Sequence, residues 1–155
     1  MTNTFIEISK LIMVSGWLLF MAIMDIQGSR IPNKYMKWFL IMSTGFIVIN
    51  YIKDPIPVIS SFVITSAVAL GIYHFKGMGG ADVKIMVILS LLYPISINLF
   101  PFAILVFGVA GIAVGIYGFF IASENNQTID DMKNKKIPFV PFMLAGYLVI
   151  LMAVF

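Results

Sequence analysis

The chain reads as an all-α, polytopic membrane protein with six transmembrane helices in one bundle, and three observations carry that reading. Of its 155 residues 61% are hydrophobic and only 11% are charged, against about 25% charged in ordinary soluble domains. Apolar stretches of roughly 17–21 residues recur, near the ~20 a helix needs to cross ~30 Å of hydrocarbon. Short polar breaks separate them and hold most of the charges. A soluble protein of this composition has too little polar surface to cover itself.

The stretches follow in order. Ile8–Met24 comes first, behind Glu7 and Lys10; no small-residue cleavage site precedes Asp25, so it is read as a retained helix rather than a signal peptide. Tyr35–Ile52 and Ile56–Tyr73 flank the break Lys53-Asp54-Pro55. The fourth, Val83–Leu99, is interrupted by Pro94 and joined to the fifth, Phe102–Ala122, by a minimal turn at Phe100-Pro101. The fifth carries Gly108, Gly111, Gly115 and Gly118 at spacings of three, four and three. That stripe is read as a surface for close packing within the bundle, with a homodimer face or a gate as the alternative. Phe139–Phe155 is the sixth, and residues 1–155 form a single domain. Tyr35, Trp38, Tyr51, Tyr73 and Tyr93 fall near helix ends and read as interfacial anchors.

Eight of the ten basic residues lie in or beside the breaks after helices 1, 3 and 5 (Arg30, Lys34, Lys37, Lys76, Lys84, Lys133, Lys135 and Lys136), leaving Lys10 and Lys53 opposite. The positive-inside tendency makes the first side cytoplasmic and both termini extracytoplasmic. Some chemistry is excluded outright. With no cysteine there is no disulfide, thiolate ligand or cysteine nucleophile. One histidine, His74, rules out a two-histidine metal site, and it reads as a polar residue at the interface. No metal or organic cofactor is expected. The net charge of +3 is spread over loops, so no nucleic-acid partner is expected.

Two aspartates stand beside these stretches, Asp25 in MAIMDIQGSRIPN and Asp82 in KGMGGADVKIM. A carboxylate next to hydrocarbon is costly and marks a functional site by default. Asp25 ends helix 1 and Asp82 begins helix 4, so parity puts both on one membrane face, with the segment before helix 6. Each has a plainer reading. Asp25 fits an interfacial carboxylate paired with Arg30 or a lysine. Asp82, after Gly77, Gly79, Gly80 and Ala81, fits a flexible loop with a helix-start aspartate. Alternatively, those glycines admit positive φ and let a substrate strand lie against the backbone.

The combination has a family resemblance. Asp25 with Ile31-Pro32-Asn33, Gly77-x-Gly79-Gly80-Ala81-Asp82 with Lys84, and Ile137-Pro138-Phe139-x-Pro141-Phe142 with Gly146 closely resemble the motifs of the type IV prepilin peptidase family. Its members are intramembrane aspartyl proteases, similar in active-site logic to preflagellin peptidases and presenilin. The resemblance runs through essentially the whole chain with the motifs in order. Two departures stand out: Ala81 occupies a place usually held by glycine, and the cysteine-bearing insertion of many bacterial members is missing. The chain looks like the short, peptidase-only form found with Tad-type pilus systems, and no methyltransfer is expected.

What the resemblance implies is an endopeptidase cutting the short basic leader from prepilin-like single-pass precursors at the cytoplasmic face of the cell membrane. Asp25 and Asp82 would share a proton and activate one water, since two adjacent carboxylates cannot both ionise cheaply. Helix dipoles alone favour an ionised Asp82 and a protonated Asp25. The remaining motif residues, Ile31, Pro32, Asn33, Gly77, Gly79, Gly80, Ala81, Lys84, Pro138 and Phe139, would shape the site or meet the substrate backbone. The polar loop from Ser123 to Lys136 reads as a solvated connector, with its acidic residues as an alternative seat for a basic leader. Two other readings use the same aspartates: a catalytically idle assembly protein, and a small transporter component with a proton or ion relay. Lipid and precursor are the expected partners; oligomeric state is not read from the chain.

Overall fold

The computed structural model describes residues 2–28, 31–74, 79–94, 96–97, 100–124 and 138–154. Six helices account for nearly all of them: α1 (Thr2–Gly28), α2 (Asn33–Lys53), α3 (Pro55–His74), α4 (Gly80–Leu92), α5 (Phe102–Glu124) and α6 (Val140–Val154). Between α4 and α5, Ser96–Ile97 pairs antiparallel with Phe100–Pro101. Four helices, α1, α2, α3 and α5, are long and apolar enough to cross a membrane. At 13 and 15 residues, α4 and α6 reach only about 20 and 22 Å.

The fourth stretch therefore ends early, at Leu92 rather than Leu99. Its Tyr93 precedes Pro94 and takes φ −124°, ψ 73°; the proline ring disfavours helical backbone at that position. The carbonyls left open at the end of α4 are met from the side. Asn50 of α2 donates its amide to Leu91 O at 3.2 Å and Leu92 O at 2.9 Å, so a helix end inside the bundle is not left unsatisfied. Proline also places the α2–α3 junction. Asp54 is extended ahead of Pro55, and its carboxylate accepts the Ile56 N–H at 3.3 Å, capping α3.

The surface is apolar. Ile12, Ile41, Val63, Ile112 and Phe119 are each more than half exposed, an arrangement suited to lipid and rare on a soluble monomer. Inside, α4 is central, with Ile85, Met86, Ile88, Leu89 and Leu92 all buried. It packs against α2, α3 and α5, while α6 lies between α1 and α5. On α3 the buried face is Val58, Ser61, Thr65 and Ala69, small residues at helical spacing that let backbones approach.

The glycine stripe of α5 is not part of that packing. A Cβ built on Gly108, Gly111 or Gly115 meets nothing within 4 Å, and all three are exposed. The close approach falls instead at Gly146 of α6, where a Cβ would stand 2.8 Å from Val106 O of α5. Gly146→Ala is expected to lower stability by about 1–3 kcal/mol through overpacking. Gly111→Ala should be nearly neutral, a contrast that thermal unfolding in detergent measures.

Tyr93 is not an interfacial anchor. It is buried, its hydroxyl 2.7 Å from that of Tyr147 on α6, with the Lys10 ammonium 4.6 Å above its ring. Lys10 is itself buried and pairs with Glu7 at 2.6 Å. Trp38, Tyr51 and Tyr73 are exposed as interfacial residues would be, and Tyr35 packs edge-on against Phe20.

Candidate active site

Four helix ends and the segments leading into them bring the polar motifs together. Asp25 lies half-buried in the last turn of α1. Its Oδ2 accepts the backbone N–H of Val140, the first residue of α6, at 3.0 Å. That N–H is free because the opening N–H groups of a helix have no partner within it. Pro138 and Phe139 are non-helical, and Phe139 O takes the N–H groups of Phe142 and Met143, both at 3.1 Å. Phe139 is held by its ring against Phe107 of α5, centroids 5.6 Å apart. The third motif thus aims a helix N-terminus at the aspartate of the first, although 115 residues separate the two ends of this hydrogen bond.

Asp82 occupies the third position of α4 and turns back on its own helix start, where its Oδ2 accepts the Gly79 N–H at 3.2 Å. Gly79 has φ −75°, so its glycine is not needed for a left-handed backbone. The space above it is tight: a Cβ there would lie 3.0 Å from Asp82 Oδ2, so the carboxylate would have to give by a few tenths of an ångström. Gly80 has open space, its nearest neighbour being Tyr73 at 3.9 Å. Ala81 is half-buried beside Asp82. Gly77 lies outside the described residues, as do Arg30, Lys76, Ile137 and the connector from 125 to 136.

A second bond joins the first motif to the second. Lys84 Nζ donates to Asn33 Oδ1 at 2.6 Å, across from α4 to the start of α2. Ahead of Asn33, Ile31 packs against the core and Pro32 is extended at φ −61°, ψ 138°. The Tyr35 N–H donates to Pro32 O at 3.0 Å, which closes the entry turn of α2. Sequence reasoning named Asn33 and Lys84 without joining them, and it gave Val140 no part. A backbone donor leaves no trace in residue type, so only the Pro138-Phe139 start signal pointed there.

Asp82 lies outside the four long spans. Burial, the largest influence, pushes its carboxyl up to about 6; the Gly79 hydrogen bond pulls the other way, and the nearby charge of Asp25 adds to the rise. Burial therefore opposes the positive end of α4, and Asp82 holds its proton to a higher pH than the helix dipole alone would allow. Among the described residues no three His, Asp or Glu side chains group as metal ligands. Carboxyls are the residue type that general acid–base chemistry on a water and a carbonyl requires.

No curated protein and no solved structure matches the chain. One family model does, that of the type IV leader peptidase family, over residues 12–119, a range that contains both Asp25 and Asp82. With well over half its length matched, the chain belongs to the type IV leader peptidase family.

Proposed function

We propose that this protein is an intramembrane aspartyl endopeptidase that removes the short basic leader from type IV prepilin-like, single-pass precursors, with Asp25 and Asp82 as its catalytic residues. The observation that carries this is the convergence of three distant motifs at one end of the bundle. Val140 N–H reaches Asp25, Lys84 reaches Asn33, and the Asp25 charge is felt at Asp82. Membership of a peptidase family supports the reaction class.

In this mechanism Asp25, held by the Val140 N–H, is the ionised partner, and Asp82 carries the proton. A water between them gives a proton to Asp25 as its oxygen attacks the scissile carbonyl. Asp82 hands its proton to the developing oxyanion. Collapse of the tetrahedral intermediate returns that proton to Asp82, while Asp25 protonates the departing amine. No metal or organic cofactor takes part. The six apolar stretches cross the bilayer in alternation, the fourth beginning at Val83, just after Asp82. The eight of ten basic residues on that side support a cytoplasmic aspartate end, where the leader would be cut.

Cleavage of a synthetic single-pass precursor by the purified chain tests the reading, with Asp25→Asn and Asp82→Asn as probes. Retained cleavage in either variant removes the dyad. A subtler variant addresses the backbone donor. Proline is tolerated at the first helical position, so Val140→Pro deletes the N–H that Asp25 accepts while keeping the start of α6. A hydrogen bond to a charged group contributes about 1.5–3 kcal/mol, so kcat should fall roughly tenfold or more with KM little changed. Unchanged kcat in a folded Val140→Pro protein would leave that donor no role.

A further inference from the structure

Beside the aspartates, and not used by them, a groove of about 640 Å³ opens between α2, α3 and α4. Its mouth holds Asn33, Lys37 and Lys84, and its walls are apolar, with Leu40, Phe62 and Leu91 among them. That volume falls in the ~300–1,000 Å³ range of small-molecule sites. From this arrangement we infer that the groove is a binding site for one anionic phospholipid of the leaflet on the aspartate side. The phosphate sits at Lys37, Lys84 and Asn33, and one acyl chain runs inward past Leu40 and Phe62.

Three features select that occupant. The first is the chemistry of the mouth. Asn33 Oδ1 is already engaged by Lys84 at 2.6 Å. What remains is donors: the Asn33 amide, the other Lys84 protons and the Lys37 ammonium. Such a mouth takes an anion and repels a basic leader. Basic pockets between transmembrane helices are a recurring seat for anionic headgroups.

The second feature is depth. From Asn33 to Leu40 on α2, and from Val83 to Leu91 on α4, the lining runs about 10–12 Å along the helix axes. That is within one leaflet of a ~30 Å hydrocarbon core. Beyond it a smaller, wholly apolar cavity of about 290 Å³ shares Phe62 and Leu91 and continues towards Tyr51. The third is width: a helix ~10 Å across and 27 Å long fills roughly 2,100 Å³, far more than the groove provides. A lipid chain fits where a precursor's helix does not.

A phospholipid seated here bridges α2 to α4 through Asn33 and Lys84, next to the turn that carries Asp82. The inference needs the chain only to be embedded in a bilayer, so it can fail while the peptidase reading stands, and the reverse. Native mass spectrometry of the detergent-solubilised chain provides the test, using phosphatidylglycerol and phosphatidylcholine with identical acyl chains. Wild type should retain one phosphatidylglycerol with at least a tenfold preference over phosphatidylcholine. Lys37→Gln with Lys84→Gln should remove the preference, and Leu40→Trp should weaken retention at unchanged charge. Lys34→Gln, which removes a neighbouring charge outside the lining, should leave it intact. Circular dichroism checks that each variant folds; Lys37→Gln and Leu40→Trp carry the test if Lys84→Gln does not. Equal retention of the two lipids overturns the inference, as does equal damage from Lys34→Gln. Displacement by millimolar inorganic phosphate would make the site a simple anion site. Displacement by a precursor helix would assign the groove to substrate.

Discussion

Asparagine at position 25 or 82 is expected to lower kcat/KM for leader cleavage by about 10²–10⁴-fold, the range over which a positioned general acid or base acts. The substitution is nearly isosteric, and its side-chain oxygen still accepts a hydrogen bond. Asp25→Asn therefore keeps the partner of the Val140 N–H, and Asp82→Asn keeps that of Gly79. What is lost is the ability to take up and release a proton. In the proposed mechanism the two carboxyls act on one water, so their losses should not add: the double variant should be about as slow as the slower single one. Thermal unfolding and helix content, unchanged in all three, would separate lost chemistry from lost fold. Additive losses would mean that the aspartates act on separate steps.

Much of this site was legible because bilayer thickness fixes how long a spanning helix must be. Once helices were counted by length, parity alone put Asp25, Asp82 and the segment before α6 at one end, and Lys84–Asn33 and Asp25–Val140 meet there. Which way each helix faces was harder to read. In water a helix has one apolar face and the pattern points inward; in lipid both faces are apolar and the pattern goes silent. The α5 glycines consequently gave no sign that they turn outward, and Gly146 gave none that it seats α6 on Val106. The same silence hid the burial of Tyr93, read as an interfacial anchor, and of Lys10, counted among the charges of the opposite side. The helix dipole that favours an ionised Asp82 is visible in chain position, whereas the burial that raises its carboxyl is not. Pro55 marked the α2–α3 junction, whereas Pro94 was read as an interruption and not as the end of α4, which stops at Leu92.

The pH dependence of cleavage follows from burial at Asp82. Its carboxyl is pushed up to about 6, so it is neutral below that pH and loses its proton as pH rises through it. The mechanism needs one proton on the pair, with Asp82 as its holder. The kcat/KM profile should therefore show an alkaline limb centred near 6, a value belonging to the coupled pair. For a single ionisation the rate at pH 8 would be roughly 50-fold below that at pH 6. The limb's origin can be checked without activity. Asp25 contributes to the rise through its charge, so Asp25→Asn should move the Asp82 midpoint downward, towards the usual carboxylate range. Isotope-edited infrared titration of the carboxyl reads that shift in the inactive protein. A flat profile from pH 6 to 8, or an upward shift in Asp25→Asn, would show that a different group holds the proton. The two measurements together separate the burial of Asp82 from the mutual repulsion that makes two acids a pair.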